Sequence, residues 1–193
     1  FNSRGFSRFD RSFMMVDLHS PAFAQRAQCG RRATRAHDVE LRCWHEDDFS
    51  HSARIIHRSH RDEHDSNINS QYRTEDGCLE LLSILTESIW CGSFVRRVSR
   101  VAIDRETGNQ AGVLIGSRIS ANTGHIGQIS VLPAYQGTGI GRRLINAALT
   151  DFRDLGYARV SLAVTTANKR AVGLYLSCGF ETIHEFPVFY REL

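Results

Sequence analysis

Three glycines on alternate positions, Gly137, Gly139 and Gly141, join a strand-like run to an amphipathic helix, and this junction restricts the chain more than any other stretch. Upstream, Ile126, Ile129, Val131 and Leu132 lie in a β-rich run that stops at Pro133, which has no N–H to give to a central ladder. Downstream, Ile140, Leu144, Ala148, Phe152 and Leu155 recur at helical spacing, so one apolar stripe can lie on a sheet. Where Cβ atoms are missing, consecutive backbone N–H groups can converge at the positive end of a helix, and a phosphate or pyrophosphate suits that place. Two familiar phosphate loops are excluded by residue. A Walker A loop needs Lys and then Ser or Thr after its last glycine, and here Arg142 and Arg143 follow Gly141. A dinucleotide fingerprint begun at Gly137 and Gly139 needs its third glycine where Arg142 stands. A tight turn with no ligand stays open from the loop alone.

The chain of 193 residues, 41% hydrophobic and 23% charged, fits one globular domain with a sizeable core. No apolar run approaches the roughly 18 residues of a membrane span. Five cysteines are scattered without a C-x-x-C pair, which favours a reducing compartment and a cytoplasmic protein. The net charge of +3 is unevenly spread. Residues 1–37 carry Arg4, Arg8, Arg11, Arg26, Arg31, Arg32 and Arg35 against Asp10 and Asp17, and read as a disordered tail ahead of a domain over 38–193. A transit peptide or a nucleic-acid arm is the lesser reading of that tail, for want of an apolar stripe or interleaved aromatics. The first residue is Phe1, and Met14 or Met15 offers another start.

Along the rest of the chain, the alternation of Val39 to Trp44 predicts a strand, with Asp47 or Asp48 capping a helix through about His60. A polar loop over 61–73 and a helix from about Glu75 to Thr86 follow. Strands are expected at Ser99 to Asp104 and Gln110 to Ile119, joined by a Gly/Asn turn, then at His125 to Val131 before the glycine loop. After the loop's helix come a strand over Arg159 to Val164, a helix from Lys169 to Cys178 stopped by Gly179, and β-like runs at Phe180 to Phe186 and Phe189 to Glu192.

The order β-α-α-β-β-β-α-β-α-β-β, with a glycine loop after the fourth strand, resembles the GNAT acetyltransferase superfamily over residues 39–193. The residues that carry the resemblance are Gln136-Gly137-Thr138-Gly139-Ile140-Gly141, which fits the [Arg/Gln]-x-x-Gly-x-[Gly/Ala] signature, Val131-Leu132-Pro133 before it, and Asn168, Ala171, Leu174, Tyr175, Gly179 and Phe180 after it. The resemblance implies an α/β (α+β) fold with a mixed central sheet of six to seven strands flanked by helices. It implies acetyl-CoA as co-substrate and an amine as acceptor, with no metal, no nucleic acid and no membrane, and it leaves a homodimer open. Gln136, Gly137, Thr138, Gly139, Ile140, Gly141 and Arg142 would hold the CoA pyrophosphate, with Ile129, Val131, Asn168 and Ala171 along the rest of the cofactor. Tyr175 would protonate the departing thiolate, and the Val131 N–H would face the thioester oxygen. Arg142 and Arg143 also suit a solvated helix surface, and Tyr175 a core tyrosine.

The sequence departs from one branch of the family where amine deprotonation is concerned. Ribosomal-protein N-terminal acetyltransferases carry a glutamate five residues before the Asn, where this chain has Ala163. Other branches place Glu or His six residues before the Val, which here is His125, so His125 is the candidate base. An excess of acids between Glu46 and Glu87, among them Asp62, Glu63 and Asp65, would steer a cationic amine or basic peptide, or mark solvated helix faces. His57, His60 and His64 share helical spacing without a motif that completes a metal set. The rival to an enzyme is a non-catalytic acyl-CoA-binding or regulatory module that keeps the cradle.

Overall fold

The computed structural model describes residues 6–21, 23, 38–61, 64–88 and 92–191. Eight strands form one sheet: β1 (Ser7–Asp17), β2 (Val39–Cys43), β3 (Ser93–Phe94), β4 (Arg100–Asp104), β5 (Gln110–Ser120), β6 (Thr123–Val131), β7 (Arg159–Thr165) and β8 (Glu181–Tyr190). Four α-helices among the described residues accompany it: α1 (Phe49–His60), α2 (Glu75–Glu87), α3 (Ile140–Asp154) and α4 (Lys169–Ser177). The strand order is β2-β4-β5-β6-β7-β1-β8, with β3 beside β5. Every pairing is antiparallel except β6 with β7, whose connection crosses over through α3.

Alternation along the strands divides the interior into two cores. On one face, Leu114, Ile126, Val160, Leu162, Val164, Met14 and Val16 pack with Ile140, Leu144, Ala148 and Phe152 of α3 and Tyr175 of α4. On the other, Val101, Val113 and Ile115 pack with Ala53, Ile55 and Ile56 of α1 and Cys78, Leu82 and Leu85 of α2. Side chains hold several of the turns and helix starts. The Asp104 carboxylate accepts from the N–H groups of Glu106 at 2.8 Å and Thr107 at 3.1 Å, which closes the β4–β5 hairpin. Thr74 caps α2 by accepting from the Gly77 N–H at 3.0 Å. Asp48 accepts from the His45 N–H at 2.8 Å and takes both Arg42 terminal nitrogens at 2.7 Å, which fixes the entry to α1.

Two expectations are corrected. Ser7–Asp17, read as part of a disordered tail, is a strand that lies between β7 and β8 and pairs with both. Its alternation is visible only in its second half, where Met14 (0% exposed) and Val16 (3%) point into the core; the flanking arginines and serines mask the rest. Met14 and Met15 therefore sit inside a paired strand, opposite Leu162 and Ser161. Residues 24–37 lie outside the described residues. The two C-terminal β-like runs are one strand, β8, which carries Pro187 without a break because it is at the edge of the sheet. The short strand β3 went unread, since two residues offer no period.

Candidate acyl-transfer site

Strands β6 and β7 are paired only from Thr123–Arg159 to His125–Ser161. Beyond that they part, and a cavity of about 860 Å³ opens between Ile126–Val131 on one side and Leu162–Val164 on the other. The parting exposes a backbone edge. Leu132 donates its N–H to Ala111 O at 2.9 Å, which makes the neighbouring pair Val131–Gly112 a non-hydrogen-bonded one. The Val131 N–H therefore faces the gap, and by the same alternation so do the N–H and C=O of Ile129, opposite Leu114. An extended ligand with amide groups can add there as a strand would.

At one end of the cavity lies the glycine loop. Gly137 (φ +79°) and Gly139 (φ +91°) adopt the left-handed conformation that bends the chain into α3, and Gly139 is the residue that caps it. Gly141 serves a different purpose. A Cβ there would stand 3.2 Å from a Leu174 methyl, so this glycine lets α3 and α4 approach. The N–H groups at the start of α3 have no partner within the helix and point out of its positive end. Gly137, Gly139, Gly141, Arg142 and Arg143 all line the cavity. Gln136 donates its amide to Val131 O at 2.9 Å, and Thr138 its hydroxyl to Tyr135 O at 2.6 Å, so these two side chains set the loop's shape. The two arginines are anchored beside it, Arg142 on Ser177 Oγ at 3.1 Å and Arg143 on Val39 O at 2.7 Å. Ile140 is fully buried under the loop and belongs to the core.

Asn168 caps α4 by accepting from the Ala171 N–H at 3.0 Å, and both residues line the cavity wall. One turn on, Tyr175 (7% exposed) projects into the same space. Burial, then the negative charge of Asp65 and the nearby Tyr72, push its phenol well above the ordinary tyrosine range. It stays a proton donor.

The far wall comes from the end of α1 and the turns between α1 and α2. His60 stacks on Tyr72 with ring centroids 4.2 Å apart, and its Nδ1 stands 2.9 Å from both Ile56 O and Ser59 Oγ. The Tyr72 hydroxyl donates to Gln128 Oε1 at 2.9 Å, and Gln128 donates to Ser130 Oγ at 2.9 Å. Asp65 accepts from the Thr165 hydroxyl. Of the acids expected to steer an acceptor, Asp65 lines the cavity, and Asp62 and Glu63 lie outside the described residues. Alternation in these short turns is too brief to expose the grouping in sequence. Among the described residues no set of three or more His, Cys, Asp or Glu side chains is gathered to hold a metal.

His125, the candidate base, is not brought to this cavity. It sits at the last paired step of β6 and β7, with Nδ1 2.9 Å from Ser161 Oγ, and burial lowers its pKa to about 4. The sign follows from that shift. Protonation favours the unfolded chain, so stability is full above the unfolded value of about 6.5 and falls as pH drops from there toward 4. A Tm series over that window is expected to slope downward with acid, and His125→Asn to flatten the slope; an unchanged slope rejects the assignment.

Residues 73–180, more than half of the chain, match the family model described as "Acetyltransferase (GNAT) family". Similar relatives include a mycothiol acetyltransferase of Propionibacterium freudenreichii, 33% identical over an alignment of 82 residues that covers 39% of this chain and 26% of that protein. The N-alpha-acetyltransferase RimI of Mycobacterium tuberculosis is 48% identical over 63 residues, 33% of this chain and 38% of that one. The chain thus aligns with well under half the length of either relative. A GNAT family acetyltransferase from Brucella melitensis, solved in complex with acetyl-CoA, shares the fold with a TM-score of 0.52 at 23% identity, over 71% of this chain and 82% of that chain. No helix among the described residues is long and apolar enough to cross a membrane.

Proposed function

The chain belongs to the GNAT acetyltransferase family, and on that premise we propose that it moves an acetyl group from acetyl-CoA to an amine by direct attack within a ternary complex. The observation that carries the reading is continuity: one cavity joins the glycine loop, the parted edge of β6 and the Tyr175 phenol. The CoA pyrophosphate sits on the N–H groups from Gly137 to Arg142, favoured by the helix dipole. The pantetheine amides pair with the backbone of Ile129, and the Val131 N–H faces the thioester oxygen.

The chemistry then has four movements. The neutral amine's lone pair attacks the thioester carbon, and the N–C bond forms as the carbonyl oxygen takes up charge. That oxyanion lies against the Val131 N–H. The C–S bond breaks and the CoA sulfur takes a proton from Tyr175. The proton that the amine sheds leaves through the polar wall, where His60 and Asp65 stand, and solvent returns one to the phenol.

Release of CoA thiol over a panel of amines tests the reading. Turnover with at least one amine is expected, together with acetyl-CoA binding in the absence of amine. Binding without turnover across the panel would favour an acyl-CoA-binding module instead.

A further inference from the structure

The acceptor end of the cavity holds one positive and one negative side chain that do not pair with each other. Arg11, from β1, lines the cavity and spends one guanidinium N–H on Ala163 O at 3.2 Å. Its Nε is buried and has no hydrogen-bond partner. A buried guanidinium N–H left unmade is costly, and native structures rarely tolerate one without a reason. Arg11 stands directly across the ladder from Thr165, so the two side chains share a face, and Thr165 gives its hydroxyl to Asp65. The Asp65 carboxylate is thus held one hydroxyl away from the strand position of Arg11, on the α1–α2 side of the sheet. The two charges are complementary in sign to a zwitterion, and each is steadied by a neutral partner.

We propose that the acceptor is a free amino acid, with Asp65 receiving its ammonium and Arg11 its carboxylate. The inference rests on the acetyl-transfer reading above and narrows it to one substrate class. A carboxylate accepts from the Arg11 edge and completes the orphaned Nε–H, as a fork of parallel N–H donors prefers. Asp65 draws in the ammonium form, and the proton is lost before attack. A plain cationic amine would satisfy Asp65 and leave Arg11 bare. A protein N-terminus would do the same, because its α-carboxyl is tied up as an amide.

The test compares matched triplets across the twenty amino acids: free acid, carboxamide, and decarboxylated amine. At least one free acid should be acetylated with kcat/KM on the order of 10- to 100-fold above its amide, the worth of one charge-assisted bond, with the difference carried mainly by KM. Arg11→Met should erase that ratio, Arg11→Lys should restore part of it, and both should keep the wild-type acetyl-CoA affinity. Circular dichroism and Tm show whether β1 stays paired in each variant. If no amine turns over while acetyl-CoA binds, titration of the CoA-saturated protein with the same triplets decides: preference for the acid, lost in Arg11→Met, upholds the site. Equal use or equal binding of acid and amide, or a ratio unmoved by Arg11→Met, overturns it and leaves the acetyl-transfer reading standing wherever turnover is seen.

Discussion

Tyr175→Phe is expected to lower kcat by about 10²- to 10⁴-fold, the usual reach of a positioned general acid, with little change in the Kd for acetyl-CoA. The reason is local. The phenol is 7% exposed, points into the cavity beside the parted edge of β6, and is kept protonated by burial and by the Asp65 charge. Loss of the hydroxyl leaves the ring's packing against Phe180, centroids 6.0 Å apart, so stability should hold. Pre-steady-state CoA release separates the chemical step from binding. Full turnover in Tyr175→Phe would remove the acid role and shift leaving-group protonation to solvent.

The second large effect is expected on folding, from Gly124→Ala. A Cβ at Gly124 would stand 2.4 and 2.6 Å from two ring carbons of Phe152. That ring has nowhere to go. Phe152 is fully buried, meets Tyr157 edge-on at 5.3 Å, and would lie 3.2 Å from a Cβ at Gly116 on the neighbouring strand. Overpacking of this kind costs about 1–3 kcal/mol, and each kcal/mol lowers Tm by about 2–4 °C in a chain of this size. Gly173→Ala makes the contrast: it lies inside α4 with nothing within 4 Å of the added carbon, and should gain about 0.5–1 kcal/mol in the ligand-free protein. Gly124 is also opposite Val160 in the last paired stretch before β6 and β7 separate. Weaker acetyl-CoA binding should therefore accompany the lower Tm, and thermal melts with and without acetyl-CoA check both.

The parts of the site that were legible in sequence are those whose chemistry is written locally. A glycine loop between a strand and a helix, an Asn cap and a Tyr one helical face further on all declare themselves within a few residues. The acceptor wall does not. Arg11, Asp65, Tyr72 and Gln128 come together through strand pairing and two short 3-10 turns, neither of which leaves a period to read. His125 shows the converse: its offset from Val131 is right, but β6 carries it to the paired side of the separation point, where Ser161 holds it. β1 escaped notice because an arginine-rich composition reads as solvent-seeking. Yet the same strand supplies Arg11, whose Nε is the one buried side-chain nitrogen or oxygen among the described residues without a hydrogen-bond partner.

The place of β1 in the sheet also bears on how the protein is made. Its partners β7 and β8 are the last two strands among the described residues, and Arg11 reaches Ala163 across 152 residues. During synthesis β1 emerges ahead of β7 and β8, which follow only after β2 to β6 have been made. The half of the sheet that carries Arg11 then closes only once β7 and β8 have emerged, with Met14 and Val16 uncovered until that point. Docking of β1 thus decides both whether the sheet closes and whether Arg11 is brought to the cavity at all.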